Sequence, residues 1–534
     1  MKALPQLSPT ITKQSRAIQS GLLLVFVCLL LLSGCSSLPK DFERTPSYAI
    51  SDTTQTTLAE TFEPMVAAHP GLSGFHALPD GIEALAARII LIREAEQSID
   101  AQYYIWHDDF VGKALHNQLL DAADRGVRVR LLLDDLDTSG KDEMLHIIDA
   151  HPNIEIRLYN PFANRSLRVI DFITDLRRIN HRMHNKTITV DNQATIFGGR
   201  NIGDEYFDAD EEVGFSDLDA LAIGPVVKEV SASFDLYWNS EWVYPLSAFK
   251  SDELIDDARI TAFRKESDQF IEEAKESDYA DEMKGLRLAD KTNLSDTSFV
   301  WGEWITVYDQ PSKVIAEEVE FETHLAPKLK KAFDNAQEEV LIISPYFVPG
   351  DNFTDYLTGL VDQGITVRVM TNSLSANDVA MVHAGYMRYR KALVRGGVEL
   401  YEFKSVKSDN PPAEAKDFKS TWTGSERASL HAKSFAFDQQ YIFIGSFNLD
   451  ARSVALNTEF GVYFESPKHA KQMKKAFDED AMTLGYRVLL NDNELEWVTL
   501  ENGEEVRYQD EPETTFFQRL NAGFMSLFIP ESQL

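Results

Sequence analysis

One pattern of eighteen residues occurs twice in the chain, and any fold must accommodate both copies. HNKTITVDNQATIFGGRN runs from His184 to Asn201, and HAKSFAFDQQYIFIGSFN from His431 to Asn448. In both, Lys follows His by two positions, Asp by seven, Gly by fourteen and Asn by seventeen. A lone His-x-Lys carries no information, but the whole frame twice does. The flanking sequence repeats too. IREAEQSIDAQYYIWHDDFVGKALHNQLLDAADRGVRVRLLLDD, residues 92–135, parallels FDNAQEEVLIISPYFVPGDNFTDYLTGLVDQGITVRVMTNS, residues 333–373. Each predicts a short strand, a loop, an amphipathic helix, a glycine and a second strand. Gly126 and Gly364 stand where a helix C-terminus needs a left-handed residue. Strands alternating with helices predict an α/β fold: two similar halves, each a mixed sheet flanked by helices.

The frame has a chemical rationale. On a strand, residues two apart share a face, so His184 projects with Lys186, and His431 with Lys433. A second apolar run, 194–197 or 441–444, reads as a hairpin partner and ends at Gly198-Gly199 or Gly445-Ser446. Small residues there let backbone approach an anion, and Asn201 and Asn448 then supply amide donors. Two histidines can divide displacement at phosphorus, one attacking and the other protonating the departing alkoxide. Two lysines and two asparagines would offset the charge developing on the phosphoryl oxygens. This chemistry calls for no metal and no cofactor.

A nucleophilic imidazole needs its other nitrogen oriented, usually by a carboxylate. Glu459 lies eleven residues past Asn448. In the first half the choices are Glu212, at the same distance, and Asp217. Strand context favours Asp217, because it and Glu459 each lie eight residues before a proline, Pro225 and Pro467. Asp191 and Asp438 fall at strand–turn junctions, where a structural role in the hairpin is expected. Arg165, Arg168, Arg177, Arg178 and Arg182, interleaved with apolar residues, read as a wall for a phospholipid headgroup and upper acyl chain.

Lysines and arginines total 52 and acidic residues 85, a net charge of −33, which disfavours nucleic acid as a partner. The N-terminus carries Lys2, Lys13 and Arg16, then an apolar run from Gly21 to Leu32, then Leu32-Ser33-Gly34-Cys35. That order predicts a lipoprotein signal with lipid on Cys35. By resemblance to enteric-type lipoprotein sorting, Ser36 after the cysteine favours the periplasmic side of a bacterial outer membrane. The expected divisions are 1–35 signal and lipobox, 36–70 flexible tether, 71–245 first half, 246–310 variable charged helical segment, 311–490 second half and 491–534 tail. The tail ends in a short helix bearing Phe516, Phe517, Leu520, Phe524, Met525, Leu527 and Phe528, which either packs on the body or meets a membrane interface.

The duplicated frame resembles the phospholipase D superfamily. DAQYYIWHDD, AADRGVRVRLLLDD, HRMHNKTITVD, FSDLDALAIGPVV, TNSLSANDVAMVHAGY and SLHAKSFAFD look like its bacterial cardiolipin synthase branch. The resemblance spans roughly residues 70–490. It implies two halves related by a pseudo-two-fold axis, with the active site between them. It also implies transfer of a phosphatidyl group onto a phosphatidylglycerol-type acceptor through a phosphohistidine, with His184 as nucleophile and His431 as general acid, or the reverse. Phospholipids such as phosphatidylglycerol and phosphatidylethanolamine, at a membrane, are the implied partners; the sequence names no protein partner. Gly199 stands where the second copy has Ser446, which leaves first-copy phosphate contacts to the backbone, Lys186 and Asn201. Three rivals follow from the same residues: a hydrolase giving phosphatidic acid, a nucleic-acid phosphodiesterase, and a non-catalytic phospholipid-binding envelope lipoprotein.

Overall fold

The computed structural model describes residues 37–210, 213–249, 255–277, 279–281, 294, 297–314, 321–377, 379–405 and 427–528. The signal segment, Cys35 and Glu212 lie outside them. In chain order the strands of the first half are β1 (Ser73–Leu78), β2 (Ser98–Tyr103), β3 (Arg128–Asp134), β4 (Ile154–Tyr159), β5 (Thr187–Val190), β6 (Ala194–Gly198), β7 (Val213–Ser216), β8 (Asp219–Ile223) and β9 (Val243–Pro245). They are followed by β10 (Val300–Gly302), β11 (Trp304–Tyr308), β12 (Glu339–Ile343), β13 (Thr366–Asn372), β14 (Glu399–Phe403) and β15 (Arg427–Leu430). The last six are β16 (Ser434–Phe437), β17 (Tyr441–Gly445), β18 (Phe460–Glu465), β19 (Gly485–Asn491), β20 (Glu494–Glu501) and β21 (Glu504–Tyr508).

Two large sheets result, ordered β10-β1-β8-β6-β5-β2-β3-β4-β9 and β11-β18-β17-β16-β12-β13-β14-β19-β20-β21. The run from β1 to β9 in the first matches the run from β11 to β19 in the second, strand for strand. In both, the three-strand centre is parallel and the motif hairpin joins it antiparallel. The repeat read from the sequence is therefore a repeat of topology.

Local chemistry explains the repeated unit. The helix Phe110–Asp124 between β2 and β3 starts where the Asp109 carboxylate accepts the Gly112 N–H at 2.9 Å. It stops at Gly126, whose φ of 97° is matched by 91° at Gly364. Asp191 accepts the N–H groups of Glu96, Gln97 and Ser98 at 3.0, 2.8 and 2.8 Å. Asp438 does the same for Gln337, Glu338 and Glu339. Each aspartate thus fastens its hairpin turn to the start of the neighbouring parallel strand and satisfies donors the ladder leaves open.

The sheets meet through one apolar layer that includes Phe75, Phe197, Val226 and Val230 from the first half and Ile442, Ile444, Phe460 and Phe464 from the second. Phe75 and Phe464 stack with centroids 4.0 Å apart. Burying each such side chain contributes roughly 1.5–3 kcal/mol, which holds the two motif hairpins against one another.

Three expected divisions are corrected. Residues 37–70 are docked rather than a flexible tether: the Ala49 N–H donates to Asp235 at 2.9 Å, Arg44 Nε to the Val243 carbonyl at 3.1 Å, and the helix Thr57–Ala67 buries Leu58 and Phe62. The hydroxyl content that suggested a linker includes the helix cap, Thr56. The segment taken as variable and helical, 246–310, holds the helix Asp257–Ala274 but ends in β10 and β11, an edge strand for each sheet. The tail opens with β20 and β21, which extend the second sheet.

Candidate active site

The site forms where the two halves exchange backbone hydrogen bonds. β15, leading to His431, pairs in parallel with β7, leading to Asp217, and places Leu430 opposite Ser216. The related bridge sets Met183, before His184, opposite Thr458, before Glu459. The His431 N–H donates to the Ser216 carbonyl at 2.7 Å and the His184 N–H to the Thr458 carbonyl at 2.8 Å. Each histidine is thereby seated against the other half's carboxylate. His184 Nδ1 lies 2.9 Å from Glu459 Oε2, and His431 Nδ1 lies 2.5 Å from Asp217 Oδ2. The four side chains are all buried.

The motif lysines are buried with them. Lys186 Nζ donates to the His184 carbonyl and Lys433 Nζ to the His431 carbonyl, each at 2.5 Å. Burial drives the Lys186 ammonium well below its usual pKa, and Lys433 adds to the effect. Among the described residues no carboxylate forms an ion pair with Lys186. An anionic ligand bound beside it would restore the charge that burial disfavours. Asn201 is held by its neighbours, accepting from the Ile105 N–H at 3.3 Å and donating to the Tyr206 hydroxyl at 2.8 Å. Among the described residues the buried Asn448 amide oxygen has no hydrogen-bond partner.

The two pairs are unequal. Burial, reinforced by the charges of Lys186 and Lys433 and only partly offset by Glu459, brings His184 down to about 4. Lys433 thus acts on the histidine of the other motif, as expected of one shared centre. Burial opposes the charge on Asp217, but the His431 contact together with Lys433 and Arg200 holds it down to about 2. Glu459 shares its charge with two hydroxyls, from Ser446 at 2.5 Å and Ser453 at 2.8 Å. Asp217 instead takes the Leu218 N–H at 2.7 Å, while its backbone carbonyl takes Arg200 Nη2 at 2.9 Å.

The family model described as "Cardiolipin synthase, PLD-like domain" matches residues 89–238 and 329–481, both motif halves. Cardiolipin synthase C of Escherichia coli (strain K12) is 40% identical over 476 residues, covering 88% of this chain and 98% of that protein. The chain belongs to the cardiolipin synthase family of phospholipase D-like enzymes. An uncharacterized protein of Helicobacter pylori (strain ATCC 700392 / 26695) is 33% identical over 96% of this chain and 99% of its own length. The fold is shared with the phosphatidylserine synthase of Haemophilus influenzae Rd KW20, at a TM-score of 0.55 and 13% identity over 89% of this chain and all of that one.

In this family member several expectations about the motif change. The small residues at Gly198 and Gly445 make room for protein. A Cβ on Gly198 would come within 2.6 Å of the Leu218 carbonyl oxygen, and one on Gly445 within 2.4 Å of that of Phe460. At Gly199 a Cβ would fall 2.1 Å from Asp217 Oδ1, so the carboxylate occupies the space the Ser446 side chain fills in the other half. The Ser446 hydroxyl faces Glu459 and buttresses it, so Gly199 does not represent a lost phosphate contact.

The arginine stretch is also reorganised. Arg165 pairs with Asp135 and Asp142, and Arg168 with Asp135 and Thr138. Arg178 pairs with Asp175 and the Pro161 carbonyl, and the buried Arg182 with Asp134 and the Asn160 carbonyl. Four of the five guanidiniums are spent inside the protein and form no headgroup wall; Arg177 is exposed.

Sequence reasoning missed the supports. Arg200, inside the first motif, braces Asp217; Ser453 and Asp309 brace Glu459, the latter by accepting its N–H at 2.9 Å. Tyr104 meets His184 edge-on at 5.0 Å, and His431 stands among Tyr206, Phe215 and Tyr346. Only Arg200 carried a signal, a charge where the second copy has Phe447. Away from the centre, His107, Asp109 and Glu205 bring ligand atoms within 4.8 Å of one another and could hold a cation. His107 Nε2 already faces Asp137 at 3.7 Å.

Proposed function

We propose that this chain makes cardiolipin, moving a phosphatidyl group from a second phospholipid onto the hydroxyl of phosphatidylglycerol. The observation that carries the division of labour is that the two histidines rest on different carboxylates, His184 on Glu459 and His431 on Asp217. His184, held down to about 4, is neutral near pH 7 and has a free Nε2 lone pair for attack. Asp217, held ionised 2.5 Å from His431 Nδ1, supports a proton on that ring against the Lys433 ammonium 3.0 Å away. In the first step His184 Nε2 bonds to phosphorus, the P–O bond to the headgroup alcohol breaks, and His431 gives that alkoxide its proton. In the second, neutral His431 takes the proton of the acceptor hydroxyl, whose oxygen bonds to phosphorus as the P–N bond to His184 breaks. Lys186, Lys433, Asn201 and Asn448 offset charge on the non-bridging oxygens.

Mass spectrometry of lipids after incubating purified protein with phosphatidylglycerol, with and without phosphatidylethanolamine, tests the reading. Cardiolipin plus free headgroup alcohol is expected; phosphatidic acid alone would assign hydrolysis instead. With a donor carrying a good leaving group, His431→Ala should accumulate a covalent adduct and His184→Ala none. Labelling of His431 in the His184→Ala variant would reverse the roles.

The N-terminal order of basic, apolar and Cys-containing segments supports a lipid-anchored protein of the bacterial envelope, on the periplasmic side of the outer membrane. Cys35→Ser should release or mislocalise it on fractionation; unchanged membrane recovery would count against the anchor.

A further inference from the structure

Thirteen large apolar side chains are exposed in the described residues, and five of them, Leu167, Val169, Phe172, Ile173 and Leu176, fall in one ten-residue stretch. Scattered single exposures are ordinary, but a contiguous cluster marks a contact surface. The stretch is two short helices, Val169–Thr174 and Leu176–Ile179, fixed from beneath. Arg165 reaches Asp135 and Asp142, Arg168 bonds the Asp135 carbonyl, Arg178 bonds Asn160 and the Pro161 carbonyl, and Asp171 accepts the Asn164 N–H at 3.0 Å. The apolar side chains are thereby held outward, with Ile173 79% exposed.

The stretch leaves the C-terminal end of β4, the sheet edge that also carries Tyr104 and Asp134, and runs directly into His184. The second half adds an apolar surface of its own, after β13, the strand that matches β3. The helix Ala380–Tyr386 leaves the same edge beyond β13 and carries the tail helix Phe516–Phe528, where Phe516, Phe517, Leu520 and Phe524 are exposed. Both apolar surfaces therefore belong to the strand ends that hold the site.

We propose that the 165–179 segment is a bilayer-docking element, which inserts its apolar side chains among phospholipid acyl chains and brings the site edge to the membrane. This rests on the phospholipid reading above, because a substrate resident in a bilayer must be met there. Charge does not supply the contact: at −33 the chain is repelled by anionic lipid, so apolar burial is the favourable contribution available. The arginines of the same stretch act as its foundation rather than as its lipid contact.

The test places an environment-sensitive fluorophore on Ile173→Cys in the full chain, with Cys28 and Cys35 changed to Ser, and a control fluorophore on Glu272→Cys. Vesicles of phosphatidylglycerol and phosphatidylethanolamine with brominated acyl chains should blue-shift and quench the label at 173, little affected by salt, and leave that at 272 unchanged. Equal quenching at both would overturn the proposal. So would a label at 173 that is shielded without vesicles, whether by the chain's own residues or by a second copy. The double variant Phe172→Ser, Ile173→Ser should lose about tenfold or more in rate on vesicle substrate and keep its rate on short-chain phosphatidylglycerol below its micelle concentration. Equal loss on both forms would overturn docking. Quenching of the label at 173, with no lipid product from the unlabelled wild-type chain, would sink the functional reading and leave docking standing.

Discussion

His184 Nδ1 lies 2.9 Å from Glu459 Oε2, a carboxylate 275 positions further along the chain and in the other half of the molecule. His431 makes the reciprocal contact with Asp217, 214 positions back. Neither half can orient its own histidine, so each copy of the motif is completed by the other.

Glu459→Gln should keep the fold and the Ser453 contact while removing the charge that supports a cation on His184. A loss on the order of 10²–10⁴-fold in kcat is expected, with a smaller change in KM. Steady-state kinetics on phosphatidylglycerol checks it, and a mainly KM effect would assign Glu459 to binding.

The rate should fall with acid only as His184 takes up a proton, near pH 4 rather than near its ordinary 6.5. Glu459 raises that pKa, so its removal should move the acid limb to still lower pH. For Asp217→Asn the sign is set on the other side. Loss of the carboxylate weakens the imidazolium of His431, so the alkaline limb of kcat/KM should move to lower pH. Two variants that moved the same limb would argue against separate acid and nucleophile.

Gly199→Ser would make the two motifs read alike, yet it should inactivate. Its Cβ would fall 2.1 Å from Asp217 Oδ1, and displacing that carboxylate unseats His431. Ser446→Gly removes one hydrogen bond to Glu459 and should cost much less. Paired activity and thermal-unfolding measurements on the two variants decide the order.

Asp191→Ala leaves three backbone N–H groups at the start of β2 without their acceptor. A stability loss of about 1–3 kcal/mol is expected in urea unfolding, with kcat per folded molecule retained. A catalytic loss at unchanged stability would assign Asp191 to the chemistry.

The sequence by itself determined the duplication, the strand–helix–strand order of each half, the left-handed glycines at 126 and 364, and the pairing of His with Lys. All of these are written in local spacing, which backbone geometry converts directly into structure. It also singled out Asp217 and Glu459, because each precedes a strand and a proline at matched distance. Only the tertiary structure decided which histidine each serves, since that depends on Thr458 and Ser216 bonding to the other half across more than two hundred residues. It likewise decided that Gly199 clears space for a carboxylate, and that the arginines from 165 to 182 face inward while their apolar neighbours face out. A helix one or two turns long presents both kinds of side chain at similar spacing. Which side is buried is set by Asp134, Asp135 and Asp142, carboxylates supplied by another part of the fold.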